Sequence, residues 1–218
     1  MRTSIIIPFT ERSKSMPNKP SEEEEKHFQQ EHQRLMADLK GEEQASKEER
    51  ETWGAIALAV GSNKLAIGHK LATLGFNAET AAILFFSPLV EVAWADGKVG
   101  YEESYKIVDE VRSRGIRATS AAYEFLSQMT LERPKPEWFH GCNEVIRALL
   151  QDMSGSERDK NISSLTALCA EVANASRGFF GFGPKVSPEE KNVIKDIISE
   201  LGLEESNKAK DILKKLSR

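Results

Sequence analysis

The carboxylates with the most suggestive spacing lie in two short stretches, VAWADGKVGYEE (residues 92–103) and KVSPEE (residues 185–190). Each ends in adjacent glutamates, Glu102-Glu103 and Glu189-Glu190, and the first also carries Asp96 at the break between two helical patterns. Acids gathered where helices meet can share a divalent cation, because hard cations take oxygen ligands. The competing use is structural. A glutamate at the third position of a helix accepts a hydrogen bond from the N-cap amide, and acids in a first turn are favoured by the helix dipole. SPEE at 187–190 fits that pattern, with Ser187 as cap, Pro188 at the first helical position and Glu190 at the third. By correspondence Gly100 is a cap and Glu103 reaches back to its amide. Asp96 leans the other way, since an acid at a helix C-terminus opposes the dipole unless turn amides or a cation compensate. An EF-hand is excluded: setting Gly97 at loop position 6 and Glu103 at 12 puts Val92 and Trp94 at positions 1 and 3, where calcium needs oxygen.

Three other groups have chemical potential. His140-Gly141-Cys142 offers two soft ligands that Cys169 or another histidine would have to complete. The spacing matches no common zinc pattern, and a turn plus a small core thiol explains it as well. His27 and His32 are five apart, off the spacing that puts two ligands on one helix face. The loop SRGFFGFGPK places Phe179, Phe180 and Phe182 among glycines. It either folds onto the core or presents an apolar patch to a protein partner or membrane surface. Its glycines fit no phosphate-binding fingerprint, as no strand precedes them and no GK[ST] follows. No Ser/His/Asp or Cys/His nucleophile arrangement stands out, so the expectation is a protein that is not an enzyme.

These residues sit on helices almost throughout. Helical periodicity runs over 63–74, 78–95 (with Pro88 at a kink or restart), 101–114, 119–131, 136–152, 158–176, 188–201 and 205–216, and no segment alternates with a period of two. The expected class is all-α, with the main domain over 62–218. Residues 1–20 lack hydrophobic periodicity and are expected to be disordered, with Met16 a second candidate start. Residues 21–60 read as a charged helical arm with a thin apolar stripe, Phe28, Leu35 and Leu39, then Trp53, Ile56 and Leu58. Gly75, Gly115 and Gly202 each follow a helix and precede an apolar residue, the pattern of a left-handed C-terminal stop.

The chain also repeats itself. KVGYEESYKIVDEVRSRGI (98–116) aligns without gaps on KVSPEEKNVIKDIISELGL (185–203), pairing Ile107 with Ile194, Asp109 with Asp196 and Gly115 with Gly202. The match extends to Ala122 with Ala209, and upstream Val92-Ala93 corresponds to Val172-Ala173. Two related helical hairpins are therefore expected, with Val99 and Val186 buried in equivalent turns.

Bulk composition narrows the setting. With 30 basic against 34 acidic residues and a pI near 5.7, the chain has no basic excess for phosphate neutralisation, so no nucleic-acid partner is expected. Two cysteines supply no disulfide framework and fit a reducing, cytoplasmic compartment. The apolar run at the N-terminus is too short for a secretory segment. The longest apolar stretch, 81–90, contains Ser87-Pro88 and ends at Glu91, so no membrane span is expected.

PLVEVAWADGKVGYEE resembles the helix–turn–helix signature of the tellurite-resistance TerB-like family, in which an apolar helix ends in ADG and acids open the next helix. RGFFGFGPKVSPEEKNVIKDIISELGL resembles that family's second hairpin, and the resemblance covers about residues 75–218. It implies a compact helical domain with two related halves, a role in tellurite resistance or general stress response, and an acidic cluster binding a divalent metal as its only cofactor. On that pattern Asp96, Glu102 and Glu103 match the first acidic motif, and Glu189 and Glu190 the second. The second aspartate is replaced by Ser176 and a longer loop, which weakens any symmetric two-site arrangement. The alternative is a scaffold or interaction module whose acids only cap helices.

Overall fold

The computed structural model describes residues 44–175, 186–204 and 206–216, with isolated helical positions at 26, 29 and 33. Contacts divide the chain into Met1–Gln44 and Ala45–Arg218. In the first unit Lys26, Gln29, Gln33 and Gln44 are helical and exposed. The expected disordered start, the stripe of Phe28, Leu35 and Leu39, the pair His27 and His32, and the phenylalanine loop all lie outside the described residues.

The second unit is all-helical. It runs α1 (Lys47–Ala59), α2 (Leu65–Thr73), a 3-10 segment (Ala81–Phe86) leading into α3 (Ser87–Ala93), α4 (Tyr101–Ser113), α5 (Ala121–Leu131), α6 (Pro136–Asp152), α7 (Gly155–Ala175), α8 (Pro188–Glu200) and α9 (Asn207–Leu216). No strand occurs among the described residues, and no helix there is long and apolar enough to cross a membrane. Pro88 does restart the chain: the residues before it form the tighter 3-10 turn, and the proline falls at the first turn of α3, where its missing N–H costs nothing.

α3 is the centre of the unit. Its sequence SPLVEVA is apolar on every side except at Glu91, and Leu89, Val90 and Val92 are wholly buried. α4, α6, α7 and α8 all contact it. Of the segments expected to form two hairpins, α4 and α8 contact this helix; α8 also packs on α9, whereas α4 packs on α7 and the 3-10 segment, and α5 on the 3-10 segment. Corresponding side chains share the core: Ile107 and Ile194, Val111 and Ile198, Ala122 and Ala209 are all buried. Val186 is buried, whereas Val99 is only partly so.

The helix stops also behave alike. Gly75, Gly115 and Gly202 all have positive φ, and the residue after each returns a hydrogen bond to the last full turn, as in Phe76 N–H to the Leu71 carbonyl at 3.0 Å and Leu203 N–H to the Ile198 carbonyl at 2.9 Å. Phe76 and Leu203 then bury themselves against the helix they terminate.

The boundary of the arm differs from expectation. Contacts group Lys47–Ala59 with the main unit rather than with the preceding residues. Its start is set by a reciprocal cap, with Ser46 N–H donating to Glu49 Oε2 at 2.8 Å and Glu49 N–H to Ser46 Oγ at 3.2 Å. Ile56 and Ala57 are buried, and Trp53 lies against His69 with ring centroids 4.2 Å apart. A thin stripe suffices here because α2 offers Gly68, where any Cβ would overlap the Trp53 carbonyl.

Gly68 and Gly75 should therefore respond differently to alanine. At Gly75 an added methyl meets nothing within 4 Å, so Gly75→Ala should cost only the left-handed backbone, about 1 kcal/mol. Gly68→Ala pushes on backbone and should cost more, roughly 1–3 kcal/mol, by levering α1 off α2. Urea melts followed by tryptophan fluorescence check both. Equal losses would show that the α1–α2 approach is not constrained.

Candidate functional site

The signature acids divide into two kinds. Glu103 and Glu190 are 3% and 2% exposed, whereas Asp96, Glu102 and Glu189 are exposed to solvent. Both buried carboxylates turn back to their own caps: Gly100 N–H donates to Glu103 Oε2, and Ser187 N–H to Glu190 Oε2, each at 2.6 Å. Ser187 completes its box by accepting from Glu190 N–H at 3.1 Å, while Gly100 has no side chain to do so. Asp96 Oδ1 accepts from Lys98 N–H at 3.2 Å, closing the turn that Gly97 makes possible with φ of 93°. So the acid at the end of the ADG turn is compensated by a turn amide, and the glutamates start helices.

The two hairpins nevertheless bring these charges together. Burial pushes the Glu103 carboxyl up to about 7, and the charges of Glu190 and Asp96 add to the rise against the pull of the Gly100 amide and Lys98. Glu102 and Glu189, one residue before each buried glutamate, stay outside this convergence. Among the described residues no three His, Cys, Asp or Glu side chains stand close enough to hold a metal ion between them.

A second polar cluster lies on the central helix and was not legible in the sequence. Glu91, the only acid on α3, accepts from Asn143 Nδ2 of α6 at 3.1 Å, and the same amide nitrogen donates to Glu200 Oε2 of α8 at 2.8 Å. Glu200 Oε1 is 3.2 Å from His140 Nδ1, His140 Nε2 is 3.3 Å from Glu144 Oε1, and Glu144 Oε2 is 2.9 Å from Lys70 Nζ. The chain Lys70–Glu144–His140–Glu200–Asn143–Glu91 thus ties α2, α6, α8 and α3 together. Asn143 is 1% exposed, and its Oδ1 has no hydrogen-bond partner. Burial pushes the Glu91 carboxyl up to about 7; the Asn143 amide opposes this, and Glu200 and Asp196 reinforce it. The only sequence signal was a lone acid closing the apolar run at 81–90, which reads equally as a terminator.

His140 and Cys142 do not converge. Two residues apart on α6, they point to different sides: His140 into the carboxylates, Cys142 into the core. Burial pushes the thiols of Cys142 and Cys169 up to about 12, which holds both in the neutral form near neutral pH. Sequence reading also missed Tyr101 and Tyr105 on α4, which are 79% and 59% exposed and stack with centroids 6.5 Å apart. Their spacing of four, opposite the buried Glu103, Ile107 and Val111, is the signal that was available.

Comparison with protein-family models, with curated proteins and with solved structures finds no match in any of the three.

The two raised carboxylates fix a pH dependence. Glu91 and Glu103 hold a proton more tightly folded than unfolded, so between about 4.5 and 7 the native state binds more protons. Their contribution to stability is full below that window and is lost as pH rises through about 7. The melting temperature should therefore fall between about pH 5.5 and about pH 8, by roughly 2–4 °C for each kcal/mol lost. Glu103→Gln keeps an oxygen for the Gly100 amide and removes the charge; it should raise the melting temperature at the upper end and flatten the profile. A profile that Glu103→Gln and Glu91→Gln both leave unchanged would assign the dependence elsewhere.

Proposed function

We propose that this chain is a non-catalytic cytoplasmic module of a stress or tellurite-resistance-type response, acting by presenting a helical surface to a protein partner. The family and the physiological setting rest on the TerB-like resemblance of PLVEVAWADGKVGYEE and the second hairpin. The observation that carries the mode of action is the commitment of the signature acids to local structure. Glu103 and Glu190 are bonded to their cap amides, and Asp96 to the Lys98 amide. The polar network around Asn143 is likewise spent on joining helices. What α4 turns outward is the tyrosine pair, and tyrosine supplies large contact area at small entropic cost in protein interfaces.

One observation favours a second reading, a divalent cation held by Asp96, Glu103 and Glu190, with Glu102 and Glu189 nearby. The charges of Glu190 and Asp96 both act on Glu103, and a cation drawing the three acids closer than they stand here would relieve them. The phenylalanine loop, Phe179, Phe180 and Phe182, remains a second candidate contact for a protein or a membrane surface.

Thermal melts with millimolar calcium, manganese or zinc separate the readings. An interaction module should melt within about a degree of its cation-free temperature, because nothing binds the native state selectively. A rise abolished by Glu103→Gln and by Glu190→Gln would install the cation reading instead. A photo-crosslinking residue at Tyr105 should yield a discrete protein adduct in cells where one at exposed Lys160 yields none. Equal labelling from both positions would count against the α4 surface.

A further inference from the structure

The C-terminus of α4, the 3-10 segment, the end of α6 and the first half of α7 enclose a cavity of about 220 Å3. Its floor is apolar, made by buried Phe86, Leu150 and Leu165, with Leu168 and Met153 on the sides. The rim is polar, and among the described residues Arg114 is its only charged lining residue. A cavity of about 150 Å3 holds benzene, so this one takes a single ring or a short alkyl chain with a polar end.

The rim specifies what that polar end is. Arg114 is the C-cap of α4, and its Nε–H donates to Glu110 Oε1 at 2.9 Å. The guanidinium carbon sits 5.5 Å from the centroid of the Phe86 ring, so the charge is held over the cavity floor. Nη2 reaches Ser164 Oγ only at 3.4 Å, and Nη1 has no hydrogen-bond partner among the described residues. Nη1 is thus unpartnered and Nη2 makes only this long bond, so the guanidinium at the rim can take a carboxylate through two parallel hydrogen bonds if Nη2 exchanges Ser164 for it. Ser164 stands beside it, and Asn161, which gives Nδ2 to Met153 Sδ at 3.2 Å, fixes the opposite wall. The favourable place of a cation at a helix C-terminus accounts for the Nε side of Arg114. It does not account for an unpartnered Nη1 above an apolar floor.

We propose that this cavity is a binding site for a small monocarboxylate with an apolar body, held by Arg114 at the carboxylate and by Phe86, Leu165 and Leu168 around the ring or chain. The site shares no residue with the acidic hairpin ends, so it stands or falls independently of the proposed function.

Phenylacetate and octanoate are the probes, with phenylacetamide and octanamide as neutral counterparts of equal shape. Each is titrated into the full chain carrying methyl-labelled methionine and followed by NMR and calorimetry. The Met153 methyl signal should shift saturably while that of Met129, on α5, does not. The acids should bind at least tenfold more tightly than the amides. Arg114→Gln should abolish that preference while leaving amide binding within twofold, and Arg114→Lys should retain part of it. Leu168→Trp should block all four probes; if it fails to fold, the acid–amide comparison on the native chain and on Arg114→Gln still decides. No saturable shift at Met153 with millimolar acid overturns the proposal. So does equal binding of acid and amide, or a preference that survives Arg114→Gln.

Discussion

A half-buried carboxylate on the otherwise buried central helix is the constraint on which the unit is arranged. α3 is otherwise buried, yet it carries Glu91, only partly exposed, between Val90 and Val92, both fully buried. A polar group taken from water without a partner costs several kcal/mol at worst, and a charged one more. α6 and α8 must therefore arrive with polar groups at one point, and they do so through Asn143 and Glu200. The same demand explains why α6, otherwise amphipathic, buries an asparagine. It also explains a remaining cost, since an amide whose two N–H groups serve two carboxylates leaves its buried Oδ1 without a partner. His140, Glu144 and Lys70 extend the network outward until it meets solvent, where charge is inexpensive.

The hairpins solve a related problem twice. A helix that starts inside a compact unit leaves its first amides unpaired, and a glutamate at the third position supplies the acceptor at the expense of burying its own charge. In α8 the serine of the box and the glutamate share the task, whereas in α4 the glycine leaves it to Glu103 alone. Burial raises Glu103 toward neutrality, and the charge of Glu190 adds to the rise. Capping and charge repulsion are thus the same feature seen from two sides. A sequence that looks like a metal motif and one that looks like a capping box can be the same sequence, and hydrogen-bond geometry distinguishes them better than spacing.

Much of the fold was legible because its punctuation is local. Gly75, Gly115 and Gly202, the SPEE cap and Pro88 act within one turn, so element ends fell within a few residues of expectation and the all-α class followed. What depended on distant contact was not legible. Ile56 and Ala57 look like part of a sparse stripe until Gly68, on another helix, lets α1 touch α2. Asn143 and Glu200 are ordinary polar residues on their own helices, and only the meeting of α6 with α8 gives them a common partner in Glu91. Val99 illustrates the limit of the repeat: its counterpart Val186 is buried, but the shorter ADG turn leaves Val99 nearer the surface.

The repeat itself points to where structure alone stops being an explanation. Where the two hairpins agree, in Ile107 and Ile194, Glu103 and Glu190, Gly115 and Gly202, the shared residue does a shared packing or capping task. Where they differ, the second copy holds the choice that serves the fold. Position 188 is the helix-starting proline against exposed Tyr101, and position 201 is buried Leu201 against Arg114. A leucine at 114 would be enough to cap the core, and a proline at 101 enough to open α4. The first copy instead spends both positions on side chains that reach solvent or an open cavity. α4 therefore combines a buried acid at one end, an arginine over a hollow at the other, and two stacked tyrosines on its outer face. These are the residues least explained by folding, and function is best sought among them.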